Sequence, residues 1–480
     1  MCRVSQYPCC DIINKSILTG KWARIYKKEV ITPIPKVFPP DTIDQLRPIA
    51  SLLNINKIQE KVISEMVIQD MEKHLDPSQY GNRKDTSIQH YLVKLLHRIL
   101  ASVDNNSRKE INAVLCCFVD WQQAYSRQCH LLGIQSFQKN GVRPALIPLL
   151  ADYFQDREMR VKWKGHLSKP RKLPGGGAMG STLGNHEFSS QTNQNADIVP
   201  QEDRFKWVDD LTVLEKINLI NIGLSSYNFK QHVASDVPIE GYYVNGQDTK
   251  SQEYLNKINS WTVDHKMDIN QKKTKAMLIN YTRNYQFSTR LTLKGEPIEF
   301  VNKMKILGLT VTSDLNWNEN TRITIRKVHQ RMQLLRSVWS FGSNISEMVH
   351  LWKLYCLSVL EQSCVVWGSS ISEENKEDLE RTQKSFAKLV LGDKFIDYPS
   401  ALIKLNLETL SKRRDTLMIK FAKSSIINRK LHTFFPKRTV GTEMKTQNRD
   451  TYQITRANTE RFKSSSILYM QRLLNQNEDK

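Results

Sequence analysis

The chain has 480 residues and carries 70 lysine and arginine residues against 49 aspartate and glutamate residues, a formal net charge of +21. This charge is typical of a phosphate-binding surface, and 40% hydrophobic residues suffice for a large core divided into two to four units. The longest apolar runs, such as Ala145 to Leu150, fall well short of the roughly 18 residues of a membrane span, and the first residues form no secretory signal. The composition therefore predicts an intracellular protein and excludes a membrane-spanning one.

The N-terminal part of the chain contains two proline-flanked segments and one predicted helix. The first segment ends at Lys36, and the second, Leu46 to Ser51, contains Arg47. The planar guanidinium of Arg47 suits phosphate oxygens, although both basic residues could be ordinary surface side chains. Apolar residues at helical spacing predict a helix across residues 55–75. They are Ile55, Ile58, Val62, Met66 and Leu75.

A continuous apolar run from Ala113 to Val119 predicts a strand that is buried on both faces. Asp120 follows this run, at the point where the strand would leave the core. A single aspartate in such a place is more often a helix cap or a turn residue. A catalytic role for Asp120 therefore requires further carboxylates from other strands.

A glycine-rich segment, Leu173 to Gly184, separates Asp120 from the next acidic motif. Gly175, Gly176 and Gly177 have no Cβ atom, so their backbone can approach a ligand closely. Three consecutive glycines could equally form a flexible turn. The segment alone does not decide between these two interpretations.

Two adjacent aspartates, Asp209 and Asp210, lie between short apolar runs that are typical of β-strands. The pattern predicts a hairpin with both carboxylates at its tip, although an Asp-Asp pair in a loop is usually a solvated turn. Together with Asp120, these carboxylates could hold two divalent cations about 3.5 to 4 Å apart for an in-line phosphoryl displacement. Oxygen ligands of this kind suit Mg²⁺ or Mn²⁺ rather than zinc. Because neighbouring residues of an extended chain face opposite ways, we expect Asp210 to contribute less than Asp209.

The remaining elements are a loop-like stretch, one long helix and a basic C-terminal region. Residues 217–252 are poorly patterned, whereas residues 320–339 read as an amphipathic helix with a basic face. That face suits a nucleic-acid duplex, and a solvated charged face explains it equally well. After Leu410 the chain is strongly basic and loses regular periodicity, and we expect partial disorder from about Pro436.

Three of these segments together resemble the motifs of reverse transcriptases. Phe118-x-Asp120-x-x-x-Ala124-Tyr125 resembles their first catalytic motif, and Trp207-Val208-Asp209-Asp210 resembles their aromatic-x-Asp-Asp motif. The glycine-rich segment resembles the motif that precedes a palm helix, and the order and spacing of all three agree with the family. The resemblance runs from about residue 22 to about residue 400 and is strongest to non-LTR (LINE-type, Jockey-like) retrotransposons.

The resemblance implies a role for each candidate residue. It implies that Asp120, Asp209 and Asp210 are catalytic and bind the metal ions. Residues near Leu307 and Gly308 resemble the strand that grips the primer. The residues implied in deoxynucleotide binding are Arg47, Lys36, Tyr125, Gly177, Met179, Lys273 and Lys275.

Several of these roles have alternatives. Tyr125 stands where the family carries an aromatic gate that rejects the ribose 2′-hydroxyl, and a core tyrosine is the alternative. Lys273 and Lys275 both lie near the family's palm lysine, which can act as a general acid on pyrophosphate, and the sequence does not decide which one matches.

The chain departs from the family at two places. Ala178-Met179-Gly180 replaces the usual Pro-Gln-Gly, and Ser126 replaces a common acidic residue. Methionine lacks the amide donor and acceptor of glutamine, so we expect weaker nucleotide binding with an intact metal site. The chain begins just before the fingers, so it looks like a truncated copy or gene model that lacks the endonuclease domain.

The resemblance implies an α+β, right-hand polymerase fold with a mostly helical C-terminal region. Its expected parts are an N-terminal segment with fingers (1–112), a palm (113–312), a helical thumb and post-thumb (313–400) and a basic, partly disordered C-terminal region (401–480). The implied activity is that of an RNA-directed DNA polymerase, which extends a DNA primer on an RNA template with deoxynucleoside triphosphates and two Mg²⁺ or Mn²⁺ ions. The expected location is a ribonucleoprotein in the nucleus, the cytoplasm or both. A degenerate relic that only binds RNA or DNA is the alternative, and a telomerase-like polymerase is less favoured.

Overall fold

The computed structural model describes residues 6–104, 112–173, 175–177, 180–195, 197–218, 242–244, 249–281, 285–287, 291–437 and 451–478. These residues form an α+β fold whose C-terminal part is mostly helical, as the sequence predicts. The strands are β1 (Lys28–Pro35), β2 (Leu46–Ser51), β3 (Asn112–Val119), β4 (Glu158–Trp163), β5 (His166–Leu167), β6 (Arg171–Lys172), β7 (Arg204–Trp207), β8 (Asp210–Asn218), β9 (Tyr242–Val244), β10 (Lys275–Ile279), β11 (Tyr285–Phe287), β12 (Thr292–Leu293), β13 (Glu296–Pro297), β14 (Glu299–Phe300), β15 (Lys303–Ile306) and β16 (Leu309–Thr312).

Helices cover the central sheet and make up the region after it. None of the described helices is long and apolar enough to cross a membrane. A π-helical turn, Trp352–Leu357, continues the ninth helix. The helices are α1 (Gln6–Thr19), α2 (Asn54–Met71), α3 (Ile88–Val103), α4 (His130–Lys139), α5 (Ile147–Phe154), α6 (Thr182–Asn193), α7 (Lys250–Asp264), α8 (Asn318–Ser340), α9 (Ile345–Leu351), α10 (Ser358–Leu360), α11 (Cys364–Trp367), α12 (Glu373–Leu391), α13 (Tyr398–Leu405), α14 (Leu410–Ile427), α15 (Glu460–Lys463) and α16 (Ser466–Glu478).

The central sheet has the strand order β14-β10-β3-β8-β7, with β3 in the middle. Every residue of β3 is buried, because its alternate side chains enter two different cores. Cys116 and Phe118 pack with α3 on one face, whereas Leu115 and Cys117 pack with α7 on the other. This confirms the predicted strand with two buried faces. It also fixes the position at which Asp120 leaves the sheet.

A second sheet contains the N-terminal strands in the order β2-β1-β4-β5, with β6 also paired to β4. Strand β1 runs antiparallel to β2 and parallel to β4. A third core lies beside this sheet and contains apolar residues of α2, α4 and α5. These helices connect the second sheet to the N-terminal end of α6, which follows the glycine-rich segment.

Helix α2 exists where the sequence predicts a helix, but part of the predicted apolar face is wrong. Ile55 and Ile58 are 48% and 50% exposed. The face toward the protein carries Ile63 together with the polar residues Gln59 and Glu60. Apolar spacing could not indicate this face, because its first turns bury polar side chains, of which Asn56 and Glu60 are hydrogen-bonded inside the protein.

The C-terminal region is more ordered than the sequence predicts. Helix α8 buries Val328, Met332 and Leu335, in agreement with the predicted amphipathic pattern. However, α14 and α16 are also regular helices. They pack into the core that contains α3 and one face of β3, here called the main core. The predicted loss of periodicity after Leu410 is therefore wrong for α14, and the predicted disorder does not extend to residues 451–478. Residues 438–450 lie outside the described part of the chain.

The predicted loop-like stretch at 217–252 lies mostly outside the described residues. Its described parts are the end of β8, the short strand β9 and the beginning of α7. In addition, the predicted primer-grip strand is a hairpin turn: Leu307 and Gly308 join β15 to β16 with φ angles of 47° and 90°. Positive φ at both positions is typical of a two-residue type I′ loop, and this explains why the strand is interrupted there.

Candidate active site

The central sheet brings the predicted acidic residues to one edge. Strands β3 and β8 are antiparallel, and Val119 pairs with Leu211. Asp120, which follows Val119, and Asp210, which precedes Leu211, therefore lie opposite each other at this edge. Asp209 lies with Val208 in the two-residue turn that the Trp207–Asp210 pair encloses.

The charges of the three aspartates act on one another. Burial raises the pKa of Asp120, Lys273 lowers it, and the charge of Asp209 raises it again. Burial, together with the charges of Asp209 and Asp120, raises the pKa of Asp210 to about 6. Burial also raises the pKa of Asp209, although Asp209 and Asp210 keep exposed surface. The structure thus gathers three carboxylates whose mutual repulsion a bound cation would relieve.

The donor chemistry of this cluster fits a hard divalent cation. Carboxylate oxygens are the ligands that Mg²⁺ and Mn²⁺ prefer, and the cluster carries an excess of negative charge. Within the described ranges, no group of three or more histidine, cysteine, aspartate or glutamate residues is arranged to hold a metal ion. The predicted metal role of Asp120, Asp209 and Asp210 therefore rests on donor type and charge, and it stays a prediction.

The hairpin is supported by the segment from Ser78 to Gly81, which follows α2. The backbone N–H of Tyr80 donates to the Lys206 carbonyl at 2.9 Å, and Lys206 N–H donates to the Ser78 carbonyl at 2.9 Å. The side chain of Gln79 accepts the N–H of Val208 at 3.1 Å. Val208 itself has a φ of 55°, an unfavourable conformation for a β-branched residue. The neighbouring segment thus holds a strained turn beside Asp209.

Gly81 allows this close approach. A Cβ atom at Gly81 would lie 2.5 Å from Val208 Cγ2 and 2.6 Å from the Val208 backbone nitrogen. We therefore expect Gly81→Ala to displace the hairpin and to destabilise the protein by about 1 to 3 kcal/mol, as overpacked sites do. Hydrogen exchange at the amides of Val208 and Asp209, measured together with the urea unfolding midpoint, checks this prediction.

Gly165→Ala is the control for Gly81→Ala, because a Cβ atom at Gly165 would meet open space. Its φ of 83° leaves only backbone strain, about 1 to 2 kcal/mol. Exchange at Val208 should stay unchanged in this control. Unchanged exchange at Val208 in Gly81→Ala as well would contradict the proposed support of the hairpin.

A buried ionic cluster lies behind the hairpin. Asp76 accepts hydrogen bonds from Arg204 Nε at 2.7 Å and Nη2 at 2.8 Å, and Lys206 Nζ lies 3.0 Å from Asp76 Oδ2. Burial opposes ionisation of Asp76, but Arg204 and Lys206 outweigh it and lower the pKa of Asp76 to about 2. Burial lowers the pKa of Lys206 to about 8, although Asp76 opposes this shift. No local sequence pattern indicates this cluster, since Asp76 and Arg204 are 128 residues apart.

The glycine-rich loop is attached to the segment that follows Asp120. Gly177 N–H donates to the Tyr125 carbonyl at 2.7 Å, and Gly176 N–H donates to the Gln128 carbonyl at 2.9 Å. A Cβ atom at Gly176 would lie 2.9 Å from the Ser126 carbonyl oxygen. At Gly176 the lack of a Cβ atom permits close approach to the protein's own chain, whereas the predicted approach to a ligand stays a prediction. Ala178 and Met179 lie outside the described residues. The predicted effect of this departure from the family on nucleotide binding therefore stays a prediction.

Tyr125 lies on the same side of the site as the aspartates. Its ring contacts Phe188 of α6 with a centroid distance of 5.5 Å. Burial and the charge of Asp209 raise the pKa of the Tyr125 hydroxyl, which therefore stays protonated. Tyr125 is half-buried rather than enclosed. Its role as a sugar gate stays a prediction.

The two candidate lysines differ in their surroundings. Asn270 N–H donates to the Asp120 carbonyl at 2.8 Å, which docks the lysine-bearing segment on Asp120. The charge of Lys273 lowers the pKa of Asp120, whereas Lys275 forms an ion pair with Glu299 of β14. Of the two residues, Lys273 is therefore the one whose charge reaches the acidic cluster.

The two basic residues predicted to bind nucleotide near the second sheet, Arg47 and Lys36, are both exposed. Arg47 lies on β2 opposite Ile34, and its charge lowers the pKa of Asp209 against the larger effect of burial. Lys36 follows β1, and its backbone N–H donates to the Gln45 carbonyl at 2.7 Å. The structure therefore brings the charge of Arg47 to the hairpin, whereas for Lys36 it shows a surface position.

A cavity of about 130 Å³ lies beneath the turn at Leu307 and Gly308. Its walls come from the β15–β16 hairpin, from α8 and from the residues before α11. The side chain of Leu307 packs against the main core, so the turn has a fixed position. The predicted primer contact at this turn stays a prediction.

The chain is similar in sequence to two curated transposon proteins of Drosophila melanogaster. It is 26% identical over 302 residues to "Probable RNA-directed DNA polymerase from transposon BS", covering 62% of this chain and 31% of the relative. It is 21% identical over 356 residues to "Probable RNA-directed DNA polymerase from transposon X-element", covering 72% and 35%. The chain thus spans about a third of the length of these relatives. No protein-family model matches it.

Solved structures with similarity to the chain include telomerase from Candida tropicalis. The apo structure has 12% sequence identity and a TM-score of 0.42, covering 89% of this chain and 72% of that one. The complex with a fragment of telomeric RNA has 11% identity and a TM-score of 0.43, covering 99% and 65%. The transposon relatives confirm the resemblance to reverse transcriptases that the sequence motifs indicated. The described part of the chain is α+β with a mostly helical C-terminal part, as this resemblance implies.

Proposed function

We propose that the chain is an RNA-directed DNA polymerase that extends a DNA primer on an RNA template. The observation that carries this proposal is the convergence of Asp120 with the Asp209–Asp210 hairpin beside Tyr125 and the glycine-rich loop. The names of the transposon relatives support the same activity. We further propose that the protein works in a ribonucleoprotein in the nucleus, the cytoplasm or both.

In this proposal, Asp120, Asp209 and Asp210 would hold two Mg²⁺ or Mn²⁺ ions. When bound, such ions stabilise the attacking and leaving oxygens of an in-line phosphoryl displacement. The primer 3′-hydroxyl would attack the α-phosphate of a deoxynucleoside triphosphate, pass its proton to solvent water and displace pyrophosphate. The carboxylates orient this site and must be ionised to hold the ions.

The other residues would position the nucleotide. The Tyr125 ring, held by Phe188, would lie beneath the sugar and leave no room for a 2′-hydroxyl. The Arg47 guanidinium would meet the triphosphate from the second sheet. Lys273 would give a proton to the departing pyrophosphate, because its charge is the one that reaches Asp120.

A relic that binds nucleic acid without polymerising is the second candidate, favoured by Ala178 and Met179 in place of the family's proline and glutamine. The discriminating experiment is extension of a DNA primer on homopolymer RNA by the purified chain with Mg²⁺ or Mn²⁺. Extension that depends on the metal supports the polymerase. RNA binding with a steep salt dependence and no extension would identify the relic.

The β4–β6 hairpin of the second sheet suits a single-stranded nucleic acid. All residues from 160 to 172 are exposed, and this stretch contains no aspartate or glutamate. Trp163 is 48% exposed among these basic residues, and an aromatic ring on a basic surface is typical of sites on which unpaired bases stack. The lysines and arginines of the stretch are Arg160, Lys162, Lys164, Lys169, Arg171 and Lys172.

Neutralising this hairpin should weaken RNA binding. We expect the double variant Lys162→Ala, Lys164→Ala to reduce the slope of log K against log salt by about 1.4, or roughly 0.7 per lost phosphate contact on a single strand. Trp163→Ala should weaken binding by about 1 to 3 kcal/mol with the slope unchanged. Fluorescence anisotropy with a labelled RNA at several salt concentrations measures both effects.

The matched control for the hairpin variants is Lys376→Ala with Lys463→Ala. These two lysines pair with Glu373 and Glu460, respectively, on helices outside the second sheet. The control should leave the salt slope unchanged. Equal loss of slope in the control and in the hairpin variant would show that binding is spread over the whole basic surface.

A further inference from the structure

Glu60 of α2 is a buried carboxylate that lies outside the acidic cluster. Its side chain is 1% exposed and reaches the N-terminal end of α6. Glu60 Oε2 accepts the backbone N–H of Thr182, the first residue of α6, at 3.3 Å. Glu60 Oε1 accepts the Tyr153 hydroxyl at 2.7 Å and the Asn56 amide at 3.1 Å. The Glu60 carboxylate therefore uses both of its oxygens for hydrogen bonds to buried groups of the protein.

Tyr153 joins Glu60 to the residue that caps α6. The Tyr153 hydroxyl and the Ser181 hydroxyl lie 2.7 Å apart, and Ser181 Oγ accepts the Gly184 N–H at 3.1 Å. A negative charge at this end of a helix is favourable, because the free N–H groups and the helix dipole are positive there. Glu60 and Ser181 together satisfy N–H groups of the first turn of α6 and fix its position.

The network carries more negative than positive charge. Glu29 of β1 shares the buried guanidinium of Arg157 with Glu60, and Glu29 Oε1 lies 3.5 Å from Arg157 Nε. Burial raises the pKa of both carboxyl groups, although Arg157 opposes the shift. Buried ionic groups contribute little to stability compared with apolar residues of the same size, whereas they restrict geometry strongly. A geometric role fits this network better than a purely stabilising one.

The first turn of α6 is directly connected to the proposed nucleotide site. Gly180 precedes the Ser181 cap, and the Gln128 side chain donates to the Gly184 carbonyl at 3.2 Å. Gly176 and Gly177 donate to the carbonyls of Gln128 and Tyr125. The start of α6, the glycine-rich loop and the segment of Tyr125 are therefore linked by hydrogen bonds into one unit, and Glu60 holds that unit from α2.

We propose that Glu60 is a positioning residue for nucleotide binding, acting through Tyr153 and Ser181 on the start of α6 and thereby on the glycine-rich loop and Tyr125. This inference rests on the proposed polymerase function. Glu60 touches neither nucleotide nor metal in this proposal. Loss of its charge releases the glycine-rich loop from the position that nucleotide binding requires. The acidic cluster on β3 and the β7–β8 hairpin stays in place.

The experiment compares Glu60→Gln and Tyr153→Phe with two matched controls. Glu380 also accepts a tyrosine hydroxyl, that of Tyr398, and also receives the first backbone N–H of a helix, that of Leu410 in α14. Glu380→Gln and Tyr398→Phe therefore remove the same contacts far from the loop. In primer extension we expect Glu60→Gln to raise the KM for deoxynucleotide about ten-fold with kcat within about two-fold, and both controls to match the unmodified chain.

Hydrogen exchange of the amides at 180–184 provides a second readout that needs no activity. Faster exchange there in Glu60→Gln and Tyr153→Phe, but not in the controls, supports the proposal. If the unmodified chain extends no primer, the proposed function fails, and exchange alone decides about Glu60. Unchanged exchange, or an unchanged KM with only a lower melting temperature, would overturn the positioning role. Tyr153→Phe keeps the carboxylate and decides the question if Glu60→Gln does not fold.

Discussion

Replacing Asp120 or Asp209 by asparagine is expected to lower primer extension by about a thousand-fold or more while RNA binding stays nearly intact. Metal ions supply several kcal/mol of transition-state stabilisation, and each 1.36 kcal/mol corresponds to about ten-fold in rate. Asparagine keeps the size of the side chain but removes the charge that would hold the cation. RNA binding rests on many lysine and arginine contacts to phosphate, so one aspartate contributes little to it.

Asp210→Asn distinguishes between two possible arrangements of the acidic cluster. The β3–β8 register places Asp210 across from Asp120, whereas the alternation of an extended chain predicts the larger role for Asp209. A loss for Asp210→Asn as large as that for Asp209→Asn would favour the arrangement given by the register. The measurement is single-turnover extension of a labelled primer at saturating nucleotide.

Asp393→Asn is the control for these variants, because Asp393 is exposed in the short turn that follows α12. It should extend primers at the rate of the unmodified chain. Full activity in Asp120→Asn would rule out the proposed metal site. Equal loss of RNA binding and extension in Asp120→Asn would indicate misfolding, which circular dichroism of the same samples detects.

The sequence predicted the elements that carry the acidic residues because their signals are local. An uninterrupted apolar run indicates a strand buried on both faces, and β3 has this property at every residue. The hairpin at Asp209 and Asp210 followed from alternating apolar residues on both sides of a turn-forming pair. The amphipathic pattern of α8 was equally local, since its buried residues repeat at helical spacing.

The sequence could not predict features that depend on contacts between distant residues. Asp76 finds Arg204 across 128 positions, and Asp104 accepts Thr459 N–H across 355 positions to dock the C-terminal helices. Nothing in the neighbourhood of either aspartate indicates such a partner. For the same reason the apolar spacing that predicted α2 did not indicate that Glu60 and Gln59 are buried there.

Asp76→Asn should destabilise the protein by about 3 to 5 kcal/mol, the usual loss when one partner of a buried ion pair is removed. Asp76 has no exposed side-chain surface, and Arg204 and Lys206 are 9% and 4% exposed. Both cations would then remain buried without their counter-charge behind the β7–β8 hairpin. We also expect primer extension to fall, because the same strand β7 leads to Asp209. The urea unfolding midpoint measures the first effect.

The pH dependence of this loss gives an independent check. The pKa of Asp76 is lowered from 3.8 to about 2, so its contribution to stability is fully present above pH 4 and disappears as the pH falls through about 2. A shift of this size corresponds to about 2 kcal/mol of linkage. The difference in unfolding free energy between the unmodified chain and Asp76→Asn should therefore be constant from pH 5 to 7 and shrink toward pH 2.

Asp70→Asn is the matched control for the Asp76 substitution. Asp70 pairs with Arg143 at 2.6 Å, but the Arg143 side chain is 48% exposed and can regain water when its partner is lost. Such a pair contributes about 0 to 1 kcal/mol. If Asp76→Asn were no more destabilising than Asp70→Asn, water would be reaching Arg204 and Lys206. The hairpin that carries Asp209 would then be held by the Gln79 and Gly81 contacts rather than by the buried charges.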